Sequence, residues 1–375
     1  MSSTARKRYY VWLLLMAPLI ILTCSNNSIE PIPASASDYD LIYFPGGGGG
    51  ASPYLSLTYS TRTGVVLDTC LTPYYINDMK FISDGSMVIY SGVLSVPPTN
   101  QECAIWINNN LTGETLFSSG DCPGERLVLA PGEDYVLSTG EAFRLYSFPA
   151  LVPIYTPASN QATGGGFLTS PGKAYYFYDN RDTLYTIDFS NAALIVETAI
   201  PLRMNGNPFY PSNAALHASG KKLVFIEGDP AGTTDIMILD SDNLGFIEGA
   251  HADWWYRDIE IHPDGNRVFL SCYWSLLDDE SRNRVDIYNI GSGQFTSFLG
   301  VHDIEGETAF QPQQMVITPD GGMIYFRSGL YTGGMTITSE FTALGISVAS
   351  RQLINRIKPE NPVASLIAID PTRHE

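Results

Sequence analysis

Short runs in which apolar and polar side chains alternate recur along almost the whole chain. Examples are Lys222-Leu223-Val224-Phe225-Ile226 followed by Asp235-Ile236-Met237-Ile238-Leu239-Asp240, and Arg267-Val268-Phe269-Leu270 followed by Arg284-Val285-Asp286-Ile287-Tyr288. Alternation with period two marks strands with one face on a core, and no stretch carries the periodicity of a helix. Turn signals separate the runs: Ser83-Asp84-Gly85, Ala130-Pro131-Gly132, Ser170-Pro171-Gly172, Ala218-Ser219-Gly220, His262-Pro263-Asp264-Gly265 and Thr318-Pro319-Asp320-Gly321. Each is preceded by one apolar strand and followed by another. The unit therefore reads strand, Pro-Asp-Gly-type turn, strand, variable loop, strand, Gly-containing turn, strand. Asp-Gly suits a turn that needs a positive φ at its glycine. The second turn is less uniform and is supplied by Ser190-Asn191, Ser241-Asp242 and Gly291-Ser292.

The glycines of the first turns are 47, 40, 48, 45 and 56 residues apart. Those intervals match one four-stranded propeller blade and exceed the leucine-rich, ankyrin and tetratricopeptide periods. Ser365 to Pro371 reads as a first strand and its turn with nothing after it, whereas Leu41 to Phe44, Tyr54 to Tyr59 and Gly64 to Asp68 read as three strands lacking a first. Joined, they complete a blade and remove the open edge between the chain ends. The expectation is an all-β, seven-bladed β-propeller over residues 40–375, with four antiparallel strands per blade, its last blade closed by the C-terminal strand pairing with the N-terminal strands.

Two segments carry a resemblance to a known family. Thr169-Ser170-Pro171-Gly172-Lys173-Ala174-Tyr175-Tyr176 with Leu184-Tyr185-Thr186-Ile187-Asp188, and His262-Pro263-Asp264-Gly265-Asn266-Arg267-Val268 with Val285-Asp286-Ile287-Tyr288, resemble the repeat of the YVTN-type bacterial propellers. The Tyr-Val-Thr-Asn run itself is absent. The resemblance implies a scaffold, because these residues shape turns and strands and perform no chemistry.

The N-terminus supplies an address. Arg6, Lys7 and Arg8 precede an apolar stretch from Tyr9 to Leu22, which has the length of an export signal and is short for a membrane-spanning helix. Ile21-Leu22-Thr23-Cys24 resembles a bacterial lipobox, with Thr23 departing from the usual small residue, so residues 1–23 read as a signal peptide and Cys24 as the lipidated first residue of the mature chain. A plain secretory signal and an uncleaved anchor are the other readings. Residues 24–39, polar and punctuated by Pro31 and Pro33, read as a tether. The chain is then an exported bacterial lipoprotein facing the periplasm or the cell surface, bound to membrane through its lipid alone.

Composition narrows the partners. Asp and Glu number 39 against 21 Lys and Arg, a net charge of -18 that grows more negative once the leader is removed, which disfavours nucleic acid and acidic membrane. In an exported chain, Cys103 and Cys122 flank one hairpin and are a candidate disulfide, while Cys70 and Cys272 read as buried thiols. His217 and His262, immediately before blade turns, read as structural.

Candidate functional residues gather in the loops that join the second and third strands and those between blades. Trp254, Trp255, Tyr256, Trp274, Tyr75 and Tyr210, with His251 beside them, form a candidate binding face for a protein or polysaccharide of the cell envelope. Rings that plug the channel or pack between blades are the alternative. No catalytic motif is present, so a non-catalytic binding or assembly module without a cofactor is the leading expectation. The rival is a metal-dependent hydrolase or lactonase-like enzyme, as in similar propellers. Asp78, Asn213, Asp258 and Gln313, each near the start of a first strand, would then hold Ca2+ or another divalent metal at the channel mouth.

Overall fold

The computed structural model describes residues 39–45, 54–60, 66–72, 75–96, 100–110, 112, 114–119, 126–130, 132–140, 143–157, 163–169, 172–178, 181–191, 195–217, 221–229, 232–273, 283–300, 303–304, 312–330, 340–357 and 364–373. Side chains are described for fewer of these, and not for residues 39–45, 54–59, 66–72, 75 or 93–103. The leader, Cys24, the tether, Cys122 and Trp274 lie outside the described residues, as do the side chains of Tyr75 and Cys103.

The described residues are all β, in four-stranded antiparallel sheets arranged as a propeller. Strands β1 (Tyr39–Pro45), β2 (Tyr54–Tyr59) and β3 (Val66–Thr72) lie in order in one sheet. The next holds β4 (Tyr75–Phe81), β5 (Met87–Val96), β6 (Asn100–Asn109) and β7 (Thr115–Ser119); another holds β8 (Arg126–Leu129), β9 (Tyr135–Thr139), β10 (Arg144–Ser147) and β11 (Pro153–Tyr155). Strands β12 (Thr163–Thr169), β13 (Lys173–Tyr178), β14 (Thr183–Asp188) and β15 (Val196–Pro201) follow, then a hairpin of β16 (Arg203–Met204) and β17 (Asn207–Pro208). Beyond it come β18 (Asn213–Leu216), β19 (Lys222–Asp229), β20 (Thr233–Asp240) and β21 (Phe246–Ala252), and then β22 (Asp258–Ile261), β23 (Arg267–Cys272), β24 (Arg284–Asn289) and β25 (Gln294–Gly300). After β26 (Pro312–Ile317), β27 (Met323–Leu330), β28 (Glu340–Ser347) and β29 (Leu353–Ile357), strand β30 (Ala364–Arg373) returns to the first sheet.

There β30 pairs antiparallel with β1, Leu41 opposite Ile369 and Tyr43 opposite Ile367. The first strands of successive sheets lie side by side: β4 against β8, β8 against β12, β12 against β18, β18 against β22, β22 against β26, β26 against β30, and β30 against β4. These strands surround the channel. The core sits between face-packed sheets. Phe269, Val285, Ile287 and Phe298 of one sheet meet Met315, Ile324, Phe326 and Leu344 of the next, and Ile89, Ile105 and Ile107 meet Leu127, Val136 and Tyr146. Ile367 of β30 is buried with Tyr325 and Ala343. Each such side chain contributes about 1.5–3 kcal/mol.

The first turns form as expected at Gly85, Gly265 and Gly321, with φ of 69°, 69° and 72°. Gly321 is also fixed by close approach, since a Cβ there would lie 2.4 Å from His262 Nε2. The second-blade turn differs from the expectation. Its left-handed residue is Glu133 (φ 56°), whose N–H donates to Ala130 O at 2.8 Å as the Gly85 N–H donates to Ile82 O at 2.9 Å. Gly132 therefore stands one residue early, and a non-glycine fills the strained position. The Glu133 carboxylate in turn accepts the Ser83 N–H of the preceding sheet, so that turn is held from outside itself.

His217 and His262 tie neighbouring turns together. His217 Nε2 lies 3.1 Å from Pro263 O and His262 Nε2 lies 3.1 Å from Gly321 O. A carbonyl only accepts, so each Nε2 donates in these contacts, while His262 Nδ1 lies 3.1 Å from the Asp264 backbone nitrogen and 3.1 Å from its carboxylate.

Candidate functional site

Three of the four residues read as candidate metal ligands, Asp78, Asn213 and Asp258, hold one blade to the next, and Gln313 does not. Asp78 on β4 accepts the Met79 N–H (2.8 Å) through Oδ1 and, through Oδ2, the Leu127 N–H of β8 at 2.7 Å. Asp258 on β22 accepts the Met315 N–H of β26 at 2.9 Å. Asn213 on β18 accepts its own neighbour's N–H, Ala214, at 2.8 Å, and donates to Arg257 O, ahead of β22, at 3.1 Å. The equivalent residue on β26 is Gln314, which accepts the Ile367 N–H at 3.0 Å and donates to Ile367 O at 3.2 Å. Gln313 instead accepts from Arg327 Nη2 at 2.7 Å. The reason is an irregularity in the β26–β27 pairing between Pro312 and Gln314, which moves the channel position by one residue; β4 carries the same shift between Ile76 and Asp78. Bonds from one first strand to the next explain why polar residues recur at this position. Among the described residues no three His, Cys, Asp or Glu side chains gather as a metal-binding group.

Channel charge is uneven. Glu260 lies two residues after Asp258, on the same face of β22. Burial and then the Asp258 charge push its carboxyl up to about 8, against the opposing pull of Lys80. Burial also raises Asp258, opposed by the Met315 and Ile259 N–H groups and by Arg126. The folded chain thus holds protons that the unfolded chain releases between about pH 4.5 and 8, so stability falls as pH rises through that window. Because Glu260 is only partly buried, the expected loss is about 1–3 kcal/mol. Urea midpoints at pH 5 and pH 8.5 should differ in that sense in the native chain and converge in Glu260→Gln. Equal pH slopes in the two proteins would remove Glu260 from this role.

At the mouth, the Trp254-Trp255-Tyr256 run is divided among three environments. Tyr256 is interior, 1% exposed, so it is corrected from the binding face to the core. Its N–H donates to Thr234 Oγ1 at 2.9 Å and its hydroxyl donates to Asp286 Oδ2; burial, and then the Asp286 charge and this bond, raise the phenol's affinity for its proton. Asp286 Oδ1 accepts Arg284 Nη2 at 2.8 Å, and the Arg284 guanidinium lies 4.5 Å from the Trp254 ring. Trp255 packs across Gly228, where a Cβ would come within 2.4 Å of its Nε1. The Arg257 guanidinium lies 4.2 Å from the Trp255 ring and 4.9 Å from the Tyr273 ring. Trp254 and Trp255 remain partly exposed.

Asn213 links this group to the channel, accepting Arg126 Nη1 at 3.2 Å through Oδ1. That contact joins β8 to β18 past the intervening β12, whose Gly164-Gly165-Gly166 run has no side chains to block it. His251 pairs with Asp235, its cross-strand partner, at 2.7 Å and is well exposed. Tyr210 is 42% exposed beyond the β16–β17 hairpin, whose Asn205-Gly206 turn has φ of 52° and 84°. The Cys272 side chain is buried, as expected.

Sequence reasoning singled out the tryptophans and missed the arginines. Arg257 directly follows the aromatic run, and Arg126 and Arg284 each open a strand, a pattern that could have drawn notice in so acidic a chain.

No protein-family model matches the chain, and no curated protein matches it. Many solved structures share its fold. A proposed 6-phosphogluconolactonase of Bacteroides fragilis is similar with a TM-score of 0.60 at 13% identity, covering 88% of this chain and 97% of its own. A functionally unknown protein of Desulfotomaculum acetoxidans gives 0.60 at 14% identity over 89% and 99%. The hydrazine synthase of Kuenenia stuttgartiensis gives 0.59 at 13% identity over 79% and 94%. At such identities the likeness defines the class, an all-β propeller, and nothing finer.

Proposed function

We propose that this chain is an exported, lipid-anchored seven-bladed propeller of YVTN type that acts as a non-catalytic binding module for cell-envelope material, using the channel-mouth face. The blade count is supported by the sheet that β30 completes with β1, β2 and β3, and by the neighbour relations of the first strands. Export and lipidation are supported by the basic, apolar and lipobox-like segments ending at Cys24. The observation that carries the binding role is the partly exposed Trp254 and Trp255 braced by arginines and by Gly228, since rigid aromatic groups lose little freedom on binding.

Replacing Trp254 and Trp255 together with Ala is expected to weaken binding to isolated envelope fractions at least tenfold. Co-sedimentation would measure the binding and a thermal melt would check the fold. Undiminished binding by a folded double variant would refute the role of this face.

A further inference from the structure

We infer that Arg257 is the centre of a site for the carboxylate of an acidic polysaccharide, a deepening that rests on the binding role just proposed. A guanidinium carries five N–H donors in one plane and stays charged at all working pH values. The Arg257 guanidinium carbon lies 4.2 Å from the Trp255 ring and 4.9 Å from the Tyr273 ring. The paired Nη donors of a guanidinium match a flat carboxylate that accepts two parallel bonds.

Among the described residues, two nearby carboxylates are engaged elsewhere. Asp258 accepts from Met315 and Asn213, and Asp286 accepts from Arg284 and Tyr256. Among the described residues the Nε of Arg257 and the Nε of Arg284 are both buried with no hydrogen-bond acceptor. Because these Nε atoms are out of reach of solvent, the donors that an arriving carboxylate meets are the terminal Nη groups. Arg126 bonds to Asn213, whose amide donates to the Arg257 main-chain carbonyl, so a third arginine belongs to this part of an otherwise acidic molecule. Trp254 and Trp255 beside the guanidinium groups favour a sugar ring over an extended acidic peptide, because an aromatic surface covers the C–H face of a sugar.

The test is calorimetric titration of the full chain with polygalacturonate, neutral dextran, inorganic phosphate and poly-glutamate. Polygalacturonate is expected to bind and dextran not to. Arg257→Lys, which keeps charge and stem but loses the fork, is expected to bind at least tenfold more weakly, with free glucuronate competing in the native chain. Should Arg257→Gln fail to fold, Arg257→Lys still decides. Equal binding of dextran and polygalacturonate, tighter binding of phosphate or poly-glutamate, no binding at all, or an Arg257→Lys variant as good as the native chain would each overturn the assignment. Envelope binding that depends on Trp254 and Trp255 but not on Arg257 would overturn this inference and leave the proposed binding role standing.

Discussion

A chain ending before residue 364 is expected to lose cooperative folding altogether. Removing β30 takes away the innermost strand of its sheet, uncovers the β1 edge and strips β4 and β26 of a neighbour on one side. It also deletes Ile367, 1% exposed, from a cluster with Tyr325, Ala343 and Ile357, and leaves Gln314 without the Ile367 N–H. The combined loss is comparable to the whole stability of an ordinary domain, about 5–15 kcal/mol. An opened edge also invites association between chains. Circular dichroism melts and size-exclusion chromatography would follow it. A monomeric truncated chain with the native melting transition would show that the ends do not close the ring.

The second large effect is expected at Asp78. Its carboxylate accepts both the Met79 and Leu127 N–H groups, and Leu127 is 1% exposed, so Asp78→Ala leaves a buried donor unmet between two blades. The cost is about 2–4 kcal/mol, because bonds to a charged acceptor are strong and the orphaned group keeps its desolvation penalty. Asp78→Asn retains one acceptor oxygen and should lose less. Asp253→Ala, at a side chain 95% exposed, should stay within about 0.5 kcal/mol of the native chain. Denaturant titration ranks the three. If Asp78→Ala ranked with Asp253→Ala, the inter-blade bond would carry no weight.

Much of the architecture could be read directly. The Pro-Asp-Gly turns at Gly265 and Gly321 locate themselves, because only a few residue types tolerate the left-handed backbone they need. The unpaired strand at each chain end foretold the β1–β30 pairing. The turn at Glu133 was misread by one residue, since nothing local marks a glutamate that adopts glycine's conformation under a neighbouring blade's hydrogen bond. Gln313 was chosen over Gln314 for a related reason: a strand irregularity swaps which of two adjacent glutamines faces the channel, and both have the same composition signal.

The site was legible only as a neighbourhood. The run Trp254-Trp255-Tyr256-Arg257 announced an unusual segment, yet one ring became core and two became a braced surface. Alternation and turn chemistry act over a few residues, so the sequence by itself determined strands, turns, repeat and closing pair. Which polar side chain bridges two blades, and which arginine packs against Trp255 and Tyr273, depends on groups far apart in the chain. Those outcomes were decided only when the sheets packed around the channel, because hydrogen bonding and burial are properties of the assembled neighbourhood and not of any one segment.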